Sequence, residues 1–316
     1  MGFFFNSADL GVASYAGLLI YTFALVGIGE FARRSLATSV FTYIIVPIFL
    51  VFIVWPMSMD TSVMQWFVIA KLIAILVFAW VIMGLRFSTK LQNLKWFKYL
   101  VPLMLIVNIM EAVSRDFEIS QITNGVYNDV FIQGGGWNIA NGIAGIINII
   151  LISGITAIYI SKDKSKTMVW PDMTIWWILA YDIWNFAFIY NNAEDRAFIM
   201  ISALFAANIA THCFRRGAWM QHRVYTLSLN MMFFLTLPEM FLNSDISVQA
   251  SRNPAAHWTL SLLSLGANVA LLVYQIWIMK TKKRNSITGE VYYDTKEYKK
   301  TVEEDKIREN LEISSF

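Results

Sequence analysis

The chain has 316 residues, 57% of them apolar, 15% aromatic and only 15% charged, with a net charge of +3. A soluble domain carries about a quarter charged residues, so an ordinary water-soluble enzyme is excluded, and so is a disordered chain, which needs low hydrophobicity and high net charge. The single cysteine, Cys213, excludes an internal disulfide framework.

What remains is an all-α polytopic membrane protein. Crossing a hydrocarbon core of about 30 Å takes about 20 mostly apolar residues. Such runs lie at 10–31, 36–55, 63–85, 96–113, 137–160, 174–190, 197–214, 224–241 and 258–279, which predicts about nine transmembrane helices in a domain over 1–280. Basic residues collect in alternate connections: Arg33 and Arg34; Arg86, Lys90, Lys95 and Lys98; Lys162, Lys164 and Lys166; Arg215, Arg216 and Arg223; and Lys280, Lys282, Lys283 and Arg284. The other connections hold only Arg115, Arg196 and Arg252, among acids such as Asp9, Asp116, Glu118, Glu194, Asp195 and Asp245. Because cytoplasmic loops accumulate Lys and Arg, the N-terminus is expected outside and the C-terminus in the cytoplasm. Trp55, Trp66, Trp137 and Trp258 then fall at outer ends, and Trp96, Trp170, Trp176, Trp177, Trp219 and Trp277 at inner ends, as an aromatic belt requires.

In chain order, the first run has no basic region before it and no small-residue cleavage site after it, so it is expected to be retained as a span. Glu30 reads as a salt-bridge partner of Arg33 and Arg34. Pro47 and Pro102 lie inside the second run and at the start of the fourth, where a missing N–H can kink a helix. Lys71 in the third run, and Glu111 with Arg115 at four-residue spacing in the fourth, are ionisable groups where polarity is expensive. Trp80 and Trp184 do not fit the belt; each either fills helix contacts or, for Trp184, lines a cavity beside Asp182.

The loop at about 117–136 reads as a short extracytoplasmic β-hairpin: a β-rich run at 118–123, the turn dipeptide Asn124-Gly125, and a second run at 126–132. Gly134, Gly135 and Gly136 follow, either a hinge for a cap over an outer vestibule or part of a rigid connection. The fifth run carries a small, polar stripe, Asn138, Asn141, Gly142, Gly145 and Asn148, either a packing seam or one wall of a site. The sixth holds Tyr181, Asp182, Trp184, Asn185, Phe188 and Asn192, few of which suit contact with lipid. Asn208, Glu239 and Asn268 continue the polar series. Residues 281–316 form a cytoplasmic tail dense in both charge signs, read as a solvated face or a docking helix.

The expected site is an outward-opening cavity contributed by Lys71, Glu111, Arg115, Asn141, Asp182, Trp184, Asn185, Asn208 and Glu239, binding a small polar or zwitterionic solute, with a proton carried at Asp182. Alternatively, Lys71 with Asp182 or Glu111, and Arg115 with Glu239 or Glu111, form purely structural ion pairs. His212, His222 and His257 lack metal-ligand spacing, no phosphate loop or nucleophile elbow occurs, and neither cofactor nor metal is expected. The leading reading is a transporter or permease in a bacterial cytoplasmic membrane. An outward-facing enzyme using Glu111 or Glu239 as general base, and a sensor or assembly subunit signalling through the tail, are the alternatives. Expected partners are membrane lipids and a small solute, not nucleic acid, with a homo-oligomer left open.

Overall fold

A computed structural model describes residues 2–58, 66–122, 125–127 and 130–314. Its helices are α1 (Val12–Arg33), α2 (Leu36–Met57), α3 (Trp66–Phe87), α4 (Leu100–Ile119), α5 (Gly136–Ile150), α6 (Ile175–Asn192), α7 (Ser202–Cys213), α8 (Trp219–Thr236), α9 (Pro254–Lys282) and the tail helix α10 (Lys296–Ser314). Each of the nine predicted runs overlaps one of α1–α9; residues 63–65 lie outside the described residues. Among the described residues five helices are long and apolar enough to cross a bilayer, namely α1, α2, α3, α9 and α4 with its leading turn from Phe97, as in a multi-pass membrane protein.

Local chemistry sets the helix starts. Ser35 accepts from Thr38 N at 3.2 Å, Thr174 from Trp177 N at 3.3 Å and Asn253 from Ala255 N at 3.0 Å, each filling a donor left open at a helix start. The Pro47 expectation takes a specific form in α2, whose backbone loosens into π-helical turns at Phe41–Ile45 and Leu50–Val54 on either side of the proline. Pro47 has no N–H to offer the Tyr43 carbonyl one turn back, and the Trp80 indole supplies the missing donor at 2.7 Å. Trp80 therefore bridges α3 to α2.

Several predicted boundaries move. The fifth run ends as a helix at Ile150, because Gly154 turns the chain with φ +62°, and 151–160 continues as a 3-10 turn and strand β3 (Tyr159–Ile160) paired with β4 (Met168–Val169). At 15 residues α5 is only about 22 Å long. The seventh run breaks at Ile201 into a turn, Ala197–Met200, and α7. The eighth begins at Trp219, five residues early, so Gln221, His222 and Arg223 are buried helix residues, not a loop: Gln221 accepts from Met168 N at 2.8 Å, His222 faces Glu30 at 3.4 Å and Arg223 donates to Asn185 at 3.2 Å. Trp170, Trp177 and Trp219 are likewise core side chains and not belt residues.

The hairpin is present but shifted. Glu118 still belongs to α4, and strands β1 (Gly125–Tyr127) and β2 (Val130–Ile132) pair antiparallel with Tyr127 opposite Val130. Gly125, expected in the turn, is therefore a strand residue opposite Ile132; 123, 124, 128 and 129 lie outside the described residues. Gly134 packs tightly: a Cβ there would meet the Ile119 carbonyl oxygen at 1.8 Å, and its N–H donates to Ile122 O at 2.9 Å. Gly134→Ala is expected to lower stability by about 1–3 kcal/mol, read as a fall in unfolding temperature in detergent; an unchanged midpoint would restore the hinge reading.

The helices pack in two groups that meet where α3 lies against α4. Helix α5 lies between α4 and α9, α6 packs on α9 and α5, α8 lies against α3 and α7, and α1 closes on α7 and α8. One end of the bundle carries the hairpin, and the other carries the tail. The tail is not a free solvated face: Asp172, at the second end, accepts from Val291 N at 3.1 Å and Tyr292 N at 2.7 Å, and Ile175 N donates to Glu297 at 2.9 Å.

Candidate functional site

A cavity enclosing about 780 Å³ of empty space, its open mouth included, lies among α3, α4, α6, the Ala197–Met200 turn and α8. About 80 Å³ of it is open to the centres of water-sized molecules, room for several waters or a small solute. Phe67, Phe188 and Phe234 give it apolar walls, and four cationic side chains reach it from four segments: Lys71, Arg115, Arg196 and Arg223. Asn185, Asn192 and Asn230 are its amides, and no carboxylate lines it among the described residues.

Three of the cations have carboxylate partners outside the lining. Lys71 Nζ donates to Asn108 O at 2.8 Å and lies 3.3 Å from Glu111, Arg115 pairs with Glu118 at 2.9 Å, and Arg196 pairs with its neighbour Asp195 at 2.8 Å. Arg196 also sits over the Phe234 ring at 4.6 Å. Arg223 differs. It is 3% exposed, its Nη2 donates to Asn185 Oδ1 at 3.2 Å, and its Nε and Nη1 are buried without a hydrogen-bond partner.

Of the nine residues expected at the site, Lys71, Arg115 and Asn185 line this cavity, and Glu111 borders it through Lys71. The other five lie elsewhere. Asp182 accepts from Asn208 Nδ2 at 2.6 Å, and Asn208 accepts from the Trp219 indole at 2.9 Å, so Asp182 pairs with an amide and not with Lys71. Trp184 is buried, donates to Asn141 O at 3.1 Å and stacks on Phe188. Asn141 points its amide at Asp116, and Glu239 bonds only locally, to Asn243 at 2.9 Å.

Sequence reasoning placed Arg196 and Arg223 in loops and left Asp116 outside the helix. Asp116 is fully buried and accepts from Asn138 at 3.1 Å, Asn141 at 2.8 Å and Asn192 at 2.7 Å. Continuing α4 by one turn past Val113 would have set Asp116 four residues beyond Ala112 and seven beyond Ile109, on the buried face. At the hairpin end, burial raises the Glu194 carboxyl to about 7, opposed by the Gln133 N–H and by Arg252 at 3.3 Å. Among the described residues no group of three or more His, Cys, Asp or Glu could hold a metal ion.

Residues 8–304 match a family described as a family of unknown function, DUF5692. The chain belongs to that family. The match takes in α1–α9 and reaches into α10, so every residue of the cavity falls within it. No curated protein and no solved structure gives a significant match.

Proposed function

We propose that this DUF5692 member is a nine-span protein of the bacterial cytoplasmic membrane, with its hairpin end outside, that binds a small organic anion in the cavity between α3, α4, α6 and α8 and carries it across. The observation that carries the reading is Arg223. A buried guanidinium with two unsatisfied nitrogens and no carboxylate within ion-pair distance among the described residues, Asp182 acting on it only from farther off, is costly, and an anionic ligand removes that cost. The apolar walls favour a carboxylate on an apolar body over a fully hydrated inorganic ion. The expected zwitterionic solute gives way to an anion because no acidic side chain reaches the lining among the described residues. The enzyme reading has less support: Glu111 is engaged by Lys71, and Glu239 lies away from the cavity.

The test uses labelled benzoate, with inorganic phosphate and tetramethylammonium as comparison solutes, in binding to the purified protein and in uptake into proteoliposomes. Benzoate is expected to bind and enter, and Arg223→Gln to weaken its binding by about 1.5–3 kcal/mol, roughly ten- to a hundredfold. Equal handling of the cation, or binding indifferent to Arg223→Gln, would reject the anion reading. Turnover of benzoate without a sealed compartment would favour an enzyme.

A further inference from the structure

We infer that Asp116 is a proton-binding carboxyl that takes up one proton when an anion enters the cavity, with the Asn192 amide linking the two. This rests on the anion reading above. Among the described residues, the carboxylates on its own and neighbouring segments have cationic partners: Glu111 has Lys71, Glu118 has Arg115, Asp195 has Arg196 and Glu194 has Arg252. Asp116 has three neutral amides instead, Asn138 and Asn141 from α5 and Asn192 from α6. His257 of α9 lies 4.0 Å from Glu194 and bonds to Asn191, and Tyr190 beside it donates to Phe4 O, neither of them to Asp116. A buried carboxyl held only by neutral donors is balanced between two states, since the donors favour the charged form and loss of water favours the acid.

Asn192 belongs to both sites. It lines the cavity, its Nδ2 donates to Asp116 at 2.7 Å and to Phe188 O at 2.9 Å, and its Oδ1 is buried with no partner. With Asp116 ionised, the amide must keep its N–H group toward the carboxylate, which holds the N–H away from an arriving anion. Turning the amide over gives up its N–H bond to Phe188 O, offers N–H to the anion and Oδ1 to Asp116, and two side-chain oxygens can meet there only if a proton lies between them. The step balances: one proton leaves water, one O–H bond forms on Asp116, that O–H donates to Asn192 Oδ1, and the anion keeps its charge. Anion and proton enter as a neutral sum, which lowers the cost of carrying either through a low-dielectric interior. A metal ion fits poorly here, because the assigned contacts are N–H donors.

The experiment adds benzoate to the purified, full-length protein in weakly buffered detergent solution, at pH values where benzoate is wholly ionised. The expected result is uptake of about one proton per chain, with benzoate affinity falling about tenfold per pH unit where free Asp116 is ionised. Asp116→Asn should bind benzoate with no proton uptake and a flat pH profile. Infrared difference spectra with isotope-labelled aspartate follow the wild-type carboxyl directly, so the inference stays testable if the variant fails to fold. A labelled carboxylic-acid carbonyl should appear on benzoate binding. Benzoate binding without proton uptake, uptake that survives Asp116→Asn, a labelled aspartate that stays ionised, or a requirement for sodium in place of protons would each overturn it while leaving the anion cavity standing. Failure of benzoate to bind would overturn the cavity reading itself, and this inference with it.

Discussion

Methionine in place of Arg86 is expected to destabilise the protein by more than about 4 kcal/mol, since each stranded buried acceptor costs about 1–3 kcal/mol. Arg86 ends α3, fully buried, and its guanidinium donates to Lys166 O at 2.9 Å, Ser165 O at 2.8 Å, the Arg33 carbonyl and the Tyr225 hydroxyl at 2.6 Å. One side chain therefore joins the end of α1, the loop before β4 and the middle of α8. Methionine fills the volume of the stem but leaves three carbonyls and a hydroxyl without their donors. Lysine, a single point of three donors on a flexible stem, cannot reproduce a planar fork aimed at three segments, so Arg86→Lys should fall between the two. Tryptophan-fluorescence unfolding and size-exclusion profiles in detergent read the effect. A methionine variant within about 1 kcal/mol of the parent would mean that water reaches those carbonyls.

Arg86 also marks where sequence reading succeeds and where it stops. A basic residue after an apolar run located the end of α3 correctly, because run length and charge placement both follow from the solvent. What the charge does there depends on partners 53 to 139 residues away, which no local pattern encodes. The same limit explains α8. Gln221, His222 and Arg223 look like a loop when read in order, and become interior only because Met168 N, Glu30 and Asn185 supply their bonds. It also explains α5, where the apolar character of 151–160 continues after Gly154 has turned the backbone. Of the site, Lys71 with Glu111 was legible, since two opposite charges in apolar runs have few other ways to be tolerated. Asp182 misled in its partner: its depth in a span suggested Lys71, and its hydrogen bond comes from an amide on α7, with Arg223 the cation whose charge reaches it. The Asp116 cage needed three asparagines from two helices to converge, and only the one-turn extension of α4 pointed toward it.

Removal of the Asp172 carboxyl is expected to release the tail while leaving the bundle folded. Past Lys283, which stops α9 with φ 52°, the chain folds back on itself: Asp294 is gripped by Arg284 and Lys282, and Tyr292 donates its hydroxyl to Gln275 at 3.0 Å. Asp172 is the receptor for that return. It accepts from Val291 N, Tyr292 N and the Ser153 hydroxyl, and burial raises its carboxyl above the ordinary range even though these donors pull it down. Beyond it, α10 is held by ion pairs, Arg215 joining Asp163 to Asp305 and Lys162 meeting Glu309 at 3.1 Å. The Lys162–Glu309 pair is exposed and contributes little, whereas the Asp172 bonds are shielded from water. Asp172→Ala strands two tail N–H groups, so docking should weaken by about 3–5 kcal/mol, raising the undocked population at least roughly a hundredfold. Limited trypsin digestion at Lys296, Lys299 and Lys300 should accelerate accordingly, while the unfolding midpoint of α1–α9 shifts little. A tail that stays as protected as in the parent would assign docking to the Arg215 pairs, and Arg215→Gln would then be the variant that frees it.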